Sequence, residues 1–488
     1  MIFNSVTYLL FLLLSLCFYW LMPPRMRMWV IMLASVMFYG FWRPEFLLVM
    51  LVSATTDYLV ALKLEKTEGG TQRKWLVAIS LSVNLGLLLY FKYLLFFVDN
   101  FQAAWSLFGA SIDVPNLDII LPLGISFYTF ETISYTLDVY RRVIHAERSF
   151  LAYACFITFF PKLIAGPILR AAQLIPQFYR RAAFTLEDLN VGVQRIILGL
   201  FLKVALADNI APLVDEGFAQ PVSMMTALDV WTLAFLFGFQ IYFDFAAYSS
   251  IAIGSSRLMG IRLPENFNFP YVATSPRDFW KRWHISLSSW VRDYLYLPLL
   301  GVRFRARAEQ PGLADEQITP DAVSARTIRI LFVTWAIMGF WHGANWTFVL
   351  WGLMHAAYIA GYRLTKPLQE HVPAQMRGAV GLALTLPLVM LAWIPFRAQT
   401  LGDALQMIFI VLQPAQYYGL GMRENIYLIA AITLLVVLGA AAANRALPLI
   451  DRLGFMARPV MTFITAAAIV PIVLVFLRPI NQFIYFQF

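Results

Sequence analysis

Apolar residues along this chain occur in long runs, and the runs recur from one end of the sequence to the other. Several runs approach the ~20 residues that an α-helix needs to cross a bilayer. Apolar and polar positions do not alternate within the runs, so each segment must satisfy its backbone amides internally, as a helix does. The pattern predicts an all-α polytopic integral membrane protein.

The runs predict about eleven or twelve transmembrane helices. The predicted crossings are 5–22, 28–42, 44–62, 75–97, 119–140, 191–213, 229–260, two within 330–362, 378–396, 425–443 and 459–477. The first run has no basic residue before it and no small-residue cleavage site after it, which favours a retained helix over a signal peptide. With no visible repeat or soluble module, residues 1–488 are predicted to form a single domain.

Composition and charge support a membrane location and predict an orientation. The chain is 60% hydrophobic and 13% charged, against roughly 25% charged in soluble domains. The net charge of +9 is spread over several loops, which favours lipid-facing cytoplasmic loops over a nucleic-acid surface. The basic segments 63–74 and 141–148 are predicted to lie inside. The N-terminus and the segments around 98–118 and 212–228 are predicted to lie outside.

Two segments do not fit simple crossings. Residues 151–170 are apolar but basic at both ends, and Pro161, Gly166 and Pro167 interrupt them. This pattern predicts a re-entrant element whose broken backbone is buried in protein. Residues 257–329 are rich in arginine and are predicted to be largely cytoplasmic, with a loop at 303–325.

Inside that basic segment, large apolar side chains recur every three or four residues from Phe279 to Tyr294. Lys281, Ser288 and Arg292 fall on the opposite side. The spacing predicts one amphipathic helix over 277–292 that lies at the membrane interface.

His342 is the most unusual residue of the apolar runs, because an ionisable group inside a membrane is costly and indicates a functional site by default. Counted from a cytoplasmic start at 330, it would lie ~18 Å deep, near the bilayer middle. Gly339 and Gly343 would let another backbone or a substrate approach. The alternative is a histidine that hydrogen-bonds between helices.

The other histidines carry weaker signals. His355 lies in the same run without glycine neighbours and is predicted to be structural. His284 follows Lys281 and Arg282, where the alternative to a functional role is a solvated helix face. The chain's five histidines are scattered along the sequence, so no metal site is predicted.

A neutral imidazole accepts a proton at physiological pH, which suits a general base for a hydroxyl that attacks an activated acyl group. The chain lacks GxSxG, HExxH, Walker and GxGxxG motifs, so the chemistries of those motifs are not predicted. A thioester such as acetyl-CoA is already activated, so a base and an oxyanion donor suffice without a bound cofactor. Asn345 or a backbone amide is the candidate orienting group beside His342.

Six motifs, in order along the chain, resemble the membrane-bound O-acyltransferase family, and in particular its bacterial branch typified by the membrane subunit of alginate O-acetyltransferase. They are LPLGISFYTFETISYTLDVYR (121–141), PKLIAGPILR (161–170), YFDFAAYSSIAIG (242–254), ENFNFPY (265–271), FWKRWHISLSSWVRDYLYLPLLG (279–301) and GFWHGANWTFVLWG (339–352). The motif core covers about 119–362, whereas the C-terminal helices at 378–488 carry only hydropathy.

The resemblance implies a helical ring with re-entrant and interfacial helices around a central cavity, where a cytoplasmic funnel meets an outer cavity. It implies that His342 and His284 are catalytic. The residues expected to bind the substrate or donor are Asn345, Trp283, Arg282, Lys281, Arg292 and Asp244. Cations near the inner mouth would attract the phosphates of acetyl-CoA, with lipid anchoring as the alternative.

The implied function is transfer of an acetyl group from a cytoplasmic thioester across the bacterial inner membrane to an exopolysaccharide such as alginate or cellulose. Because no extramembrane domain is predicted, separate periplasmic proteins would receive the acetyl group or present the glycan. No nucleic-acid partner is expected. One alternative is D-alanyl or other acyl transfer to a cell-envelope polymer. Another is a proton-coupled glycan or lipid transporter that uses His342 together with intramembrane acids. Those acids are Asp57, Glu131, Asp138, Asp208 and Asp244.

Overall fold

A computed structural model of the chain describes residues 3–109, 117–302 and 324–450, together with 469, 471–473 and 475. Residues 110–116 of the predicted outer segment, residues 303–323 of the predicted loop and most of the predicted crossing 459–477 lie outside the described residues.

The regular elements in these ranges are helices. They are α1 Val6–Leu21, α2 Arg27–Gly40, α3 Phe46–Lys66, α4 Gly70–Leu88, α5 Leu94–Ser106, α6 Ile125–Tyr140, α7 Phe150–Thr158, α8 Ala171–Tyr179, α9 Leu186–Leu200, α10 Asp208–Phe218, α11 Ala227–Arg257, α12 Pro276–Arg282, α13 Ile285–Val291, α14 Leu297–Leu299, α15 Ala325–His342, α16 Trp346–Leu364, α17 Lys366–Glu370, α18 Ala374–Arg397, α19 Leu401–Leu412 and α20 Glu424–Ile450. π-helical segments at Leu89–Tyr93, Phe201–Ala207 and Arg292–Tyr296 continue some of them.

Within the described ranges, five helical stretches are long and apolar enough to cross a membrane. They are Phe46–Lys66, Gly70–Ser106, Leu186–Phe218, Ala227–Arg257 and Ala374–Arg397, and they cover predicted crossings. Helices α1, α2 and α6, at three other predicted crossings, are shorter. Helix α6, for example, begins only at Ile125, because Gly124 takes a left-handed conformation with φ +72° that starts the helix there.

Helix α11 forms the centre of the protein. Its most apolar stretch is 78% buried, against 17% for Gly70–Ser106, so α11 is enclosed by other helices while α4 and α5 face outward. Thr226 and Asp229 form a capping box that fixes the start of α11. Large apolar side chains are exposed on the periphery, such as Leu10 and Leu14, at 57% and 59%. A surface of this kind suits lipid and not water.

Residues 151–170, predicted to have a broken backbone that is buried in protein, have both features. Helix α7 ends at Thr158, and the chain from 159 to 170 is irregular and almost wholly buried. Lys162 in this stretch forms a buried ion pair with Glu131 of α6, and the Leu169 amide donates to the same carboxylate at 3.1 Å. These bonds satisfy polar groups that would be costly in an apolar interior.

The prediction of one continuous interfacial helix over 277–292 is wrong. The chain there forms two short helices, α12 and α13, separated at Trp283 and His284. His284 has φ +41°, which a continuous helix does not allow. The aromatic side chains at helical spacing pack inside the protein and not against lipid, with Trp283 only 1% exposed.

Helices α15 and α16 form an antiparallel pair joined by the short turn 343–345. They approach closely because Gly339 faces Gly352, and a Cβ on either would collide with a backbone carbonyl of the other helix. Helix α15 begins at Ala325, so His342 is its last residue, ~26 Å from its start at 1.5 Å per residue. His342 therefore lies at the tip of this helical pair.

Candidate active site

His342 lies in an aromatic enclosure and is 4% exposed. Its ring centroid lies 4.8 Å from that of Trp341, 4.8 Å from that of Trp351 and 5.4 Å from that of Phe396, each in an edge-to-face arrangement. These rings come from α15, α16 and α18. The tip of the helical pair is thus packed against α18, and the histidine is enclosed by rings that exclude water.

Lys92 holds the end of the helix that carries His342. Its Nζ donates to the carbonyl oxygen of Trp341 at 2.7 Å and to that of His342 at 2.9 Å. The last carbonyls of a helix lack intrahelical partners and form the negative end of its dipole, so a cation is the matching group. Lys92 lies in the π-helical segment Leu89–Tyr93, a type of turn often found at functional sites.

His284 lies at the break between α12 and α13 and is fully buried. Its Nδ1 is 3.1 Å from Oδ1 of Asn266. The same Oδ1 accepts from the backbone N–H of Ser286 at 3.3 Å and from its hydroxyl at 2.9 Å. Because a backbone N–H can only donate, the atom it meets is the amide oxygen. Nδ1 of His284 is therefore the donor to Asn266.

His355 has the opposite arrangement. The indole N–H of Trp280 donates to its Nδ1 at 3.2 Å. Because an indole is a donor only, this Nδ1 is an acceptor and the proton of the neutral ring is on Nε2.

The structure brings His284, His342 and His355 into one cluster, although they are separated in sequence. The Trp351 ring contacts both His342 and His355, at 4.8 and 4.9 Å between centroids. His284 and His355 are both close enough to His342 to interact with it electrostatically. The sequence-based contrast between His342 and His355 did not anticipate that they share a neighbour.

A cavity of about 290 Å³ opens beside the cluster. Its walls include Ile285, which follows His284, and Met338, which lies one turn before His342. The described residues that line it include neither of these histidines. Its basic lining residues are Arg277, Lys281, Arg292 and Arg363.

A second cavity of about 360 Å³ shares Arg277, Ile359 and Arg363 with the first and adds Lys366 and Arg377. The shared residues show that the two cavities are adjacent, and both have several cations in their lining. Such a lining attracts phosphate groups, and arginine binds them in a bidentate manner.

The residues expected to bind the donor are divided by the structure. Lys281 and Arg292 line the first cavity, and Arg292 also forms an ion pair with Asp293 at 2.8 Å. Arg282 is turned to Asp278, with which it forms an ion pair at 2.9 Å, and Trp283 packs on Trp393 at 4.9 Å between centroids. Neither of the latter two is among the described residues that line the cavities.

Asn345 and Asp244 also lie elsewhere. Asn345 is the N-cap of α16, where its Oδ1 accepts from the Thr347 amide at 3.0 Å. This oxygen holds the turn after His342 and is not directed to the ring. Asp244 forms a buried ion pair with Lys203 at 2.8 Å.

The intramembrane acids that left a transport function open all have partners. Asp57 accepts hydrogen bonds from Ser80, Asn84 and Thr136, Glu131 pairs with Lys162, Asp138 accepts from Tyr294, and Asp208 and Asp244 both pair with Lys203. These contacts join helices. They give each acid a structural role that does not require proton transport.

Sequence reasoning missed Asn266 and Lys92 as parts of the site. Lys92 had a signal, since it is a lone charge inside the apolar run 75–97. Asn266 had none, because asparagine is common in loops and its importance comes from a contact with a residue 18 positions away.

The fold defines a helical membrane protein in which a buried histidine cluster lies near a cavity lined by cations. Residues 141–310 match the MBOAT, membrane-bound O-acyltransferase family. The chain is 40% identical to the "Probable alginate O-acetylase AlgI" of Azotobacter vinelandii, over 83% of this chain and 77% of the relative. It is 34% identical to the "Peptidoglycan O-acetyltransferase" of Helicobacter pylori, over 78% of this chain and 73% of the relative.

A more distant relative is the "Teichoic acid D-alanyltransferase" of Bacillus subtilis, 29% identical over 51% of this chain and 60% of the relative. The chain belongs to the membrane-bound O-acyltransferase family. It is a multi-pass membrane protein and an O-acyltransferase that acts on a polymer.

Proposed function

We propose that the protein transfers an acetyl group from acetyl-CoA, supplied from the cytoplasm, to a hydroxyl on the outer side of the bacterial inner membrane, for O-acetylation of an exopolysaccharide such as alginate or cellulose. The observation that carries this proposal is the location of His342 and His284 beside a cavity lined by four cations. Relatives named as O-acetylases support acetyl as the acyl group.

The cations favour a donor that carries phosphates. Arg277 and Arg363 line both cavities. In this proposal they bind the phosphates of coenzyme A while the acetyl thioester extends toward Met338 and His342. Guanidinium groups bind phosphate in a bidentate manner, which gives orientation as well as affinity.

In the proposed reaction, the histidine pair moves one proton. His342 takes the proton of the acceptor hydroxyl as its oxygen bonds to the thioester carbonyl carbon. The C–S bond then breaks, and the proton passes to the leaving thiolate. The products are the acetyl ester and free coenzyme A, so no covalent enzyme intermediate or bound cofactor is required.

The polymer acceptor requires help from other proteins in this proposal, because the described part of the chain is a helical membrane body without a polysaccharide-binding domain. Periplasmic partners would receive the acetyl group or present the glycan. The distribution of Lys and Arg supports a periplasmic N-terminus through the positive-inside rule.

The test uses protein reconstituted in vesicles, with labelled acetyl-CoA added to one side. Alginate oligosaccharides or cello-oligosaccharides are added to the other side, together with a periplasmic extract that supplies the partner proteins. We expect acetyl transfer only when acetyl-CoA meets the cytoplasmic face. His342→Ala should lower transfer by ~10²–10⁴-fold, the usual contribution of a positioned base, while the variant still inserts and elutes as wild type.

Near wild-type transfer by folded His342→Ala protein would contradict the proposed role of this histidine. Turnover with a D-alanyl carrier thioester but not with acetyl-CoA would replace acetyl by D-alanyl as the transferred group.

A further inference from the structure

We propose that Asn266 is a positioning residue that fixes His284 with its proton on Nδ1, so that Nε2 faces the reaction as a proton acceptor. This inference rests on the proposed function, in which the histidine pair moves the proton of the acceptor. It assigns a role to the second residue of the ENFNFPY motif, which the sequence did not single out.

The orientation of the Asn266 amide is determined by its neighbours. Oδ1 accepts the Ser286 backbone N–H and the Ser286 hydroxyl, while Nδ2 donates to the Ser249 hydroxyl at 3.2 Å. A flipped amide would place two donors together at the Ser286 amide. The amide oxygen is therefore the only atom that can face Nδ1 of His284.

The backbone reinforces the same contact. Ile285 N–H donates to the Asn266 carbonyl oxygen at 2.9 Å, and His284 is held at φ +41°. A left-handed conformation in a residue other than glycine is strained, and it persists when the surroundings enforce it. The strained residue is thus tied to Asn266 through both its ring and the next amide.

These contacts fix the direction of the lone pair on Nε2 of His284. With the proton on Nδ1, neutral His284 presents Nε2 as an acceptor. Nε2 is buried and has no hydrogen-bond partner among the described residues. The rings of Phe245 and Phe127 lie beside the His284 ring, at 4.6 and 6.4 Å between centroids. His342 is close enough to interact electrostatically with His284.

An acceptor nitrogen in apolar surroundings is suited to binding a proton transiently during a reaction. A buried polar atom without a partner is costly, and function is one reason for such a cost to be retained. In the proposed reaction, His342 takes the acceptor's proton and passes it to Nε2 of His284, from which the proton moves to the leaving thiolate.

The test compares three variants of one contact. Asn266→Leu removes the acceptor while keeping most of the volume. Asn266→Asp keeps an oxygen opposite Nδ1 and the Ser286 amide. Ser249→Ala removes the other partner of Asn266 and leaves Oδ1 in place, so it serves as the matched control.

We expect Asn266→Leu to lower kcat by at least ~10²-fold and to leave KM for acetyl-CoA unchanged. For comparison, a wrong histidine tautomer in serine proteases lowers kcat by ~10⁴-fold. Asn266→Asp should recover most of kcat and move the acid limb of the pH–rate profile to higher pH, because a carboxylate stabilises the charged ring. Ser249→Ala should stay within about threefold of wild type.

A second readout does not depend on activity. In ¹⁵N,¹³C-histidine protein in nanodiscs, ring shifts identify which nitrogen carries the proton, and a His284→Gln sample identifies the signal of His284. We expect the Nδ1–H form in wild type and Asn266→Asp, and its loss in Asn266→Leu.

An Nε2–H form of His284 in wild type would overturn the inference even if acyl transfer proceeds as proposed. So would full kcat in folded Asn266→Leu protein. Absence of transfer from acetyl-CoA by wild type would instead refute the proposed function, while the tautomer measurement would still decide what Asn266 does to the ring.

Discussion

His284 and His355 are buried to the same degree, lie near the same third histidine and yet are prepared for opposite chemistry. An amide oxygen faces Nδ1 of His284, and an indole N–H faces Nδ1 of His355. The first contact places the ring proton on Nδ1 and leaves Nε2 as an acceptor. The second places the proton on Nε2.

The comparison teaches that the partner of one ring nitrogen decides what the other nitrogen can do. Burial and proximity to His342 do not distinguish the two residues. Their backbones do, because His355 lies inside the regular helix α16, whereas His284 is at a strained break. Strain in a residue held from several sides is typical of functional positions.

The largest effect is expected when the comparison is tested directly with one substitution at both positions. His284→Gln should lower kcat by ~10²–10⁴-fold, because an amide cannot take up a proton. His355→Gln should stay within about tenfold, because the glutamine oxygen can still accept the Trp280 N–H. The measurement is kcat with acetyl-CoA for protein of matched thermal stability.

A larger loss at His355 than at His284 would reverse the comparison. It would make the Nε2–H group of His355 the important one, in the role of a donor to the thioester oxygen.

The sequence predicted the membrane class, which the fold confirms, and it singled out His342 as a candidate, because both inferences depend on local composition. A titratable residue in an apolar run is visible without a structure. The prediction failed at 277–292, because aromatic residues at helical spacing look the same whether they face lipid or the protein interior. No glycine or proline marks the helix break at His284 in the sequence. The break depends on a contact with Asn266, which lies in another segment.

Residue roles were harder to predict than the fold for the same reason. Asn345 is close to His342 in sequence, but its oxygen caps α16. Asn266 is distant in sequence, but it touches the ring of His284. Contacts of this kind are set by tertiary packing, which periodicity and composition do not contain.

An intermediate effect is expected for the contact that holds His342 itself. Lys92→Met keeps an unbranched side chain but leaves two carbonyl oxygens at the end of α15 without their cation. Each unsatisfied buried acceptor costs ~1–3 kcal/mol, so we expect a lower Tm and a loss of about tenfold in kcat as the helix end loosens.

Lys74→Met is the matched control, since Lys74 lies on the exposed start of the same helical stretch. A fall in Tm with kcat unchanged would limit Lys92 to a structural role. Equal effects at Lys74 and Lys92 would show that loss of positive charge alone is responsible.

The smallest effect is expected at the cationic cavity, where binding and chemistry can be separated. Lys281→Gln and Arg292→Gln each remove a charge from the lining, and we expect KM for acetyl-CoA to rise about three- to tenfold with kcat unchanged. Such a change corresponds to roughly 1 kcal/mol of binding free energy. Arg282→Gln is the control, because Arg282 pairs with Asp278 away from the cavities.

The decisive comparison uses a short acetyl thioester without phosphates, such as S-acetyl-N-acetylcysteamine. If Lys281 and Arg292 bind the phosphates of coenzyme A, neither substitution should change KM for the short donor, and the effect on acetyl-CoA should shrink at high salt. An equal rise in KM for both donors would mean that these residues determine the shape of the cavity and do not bind the phosphates of the donor. The histidine cluster would then be the part of the site that carries the chemistry, and the cations would act on the membrane or the fold.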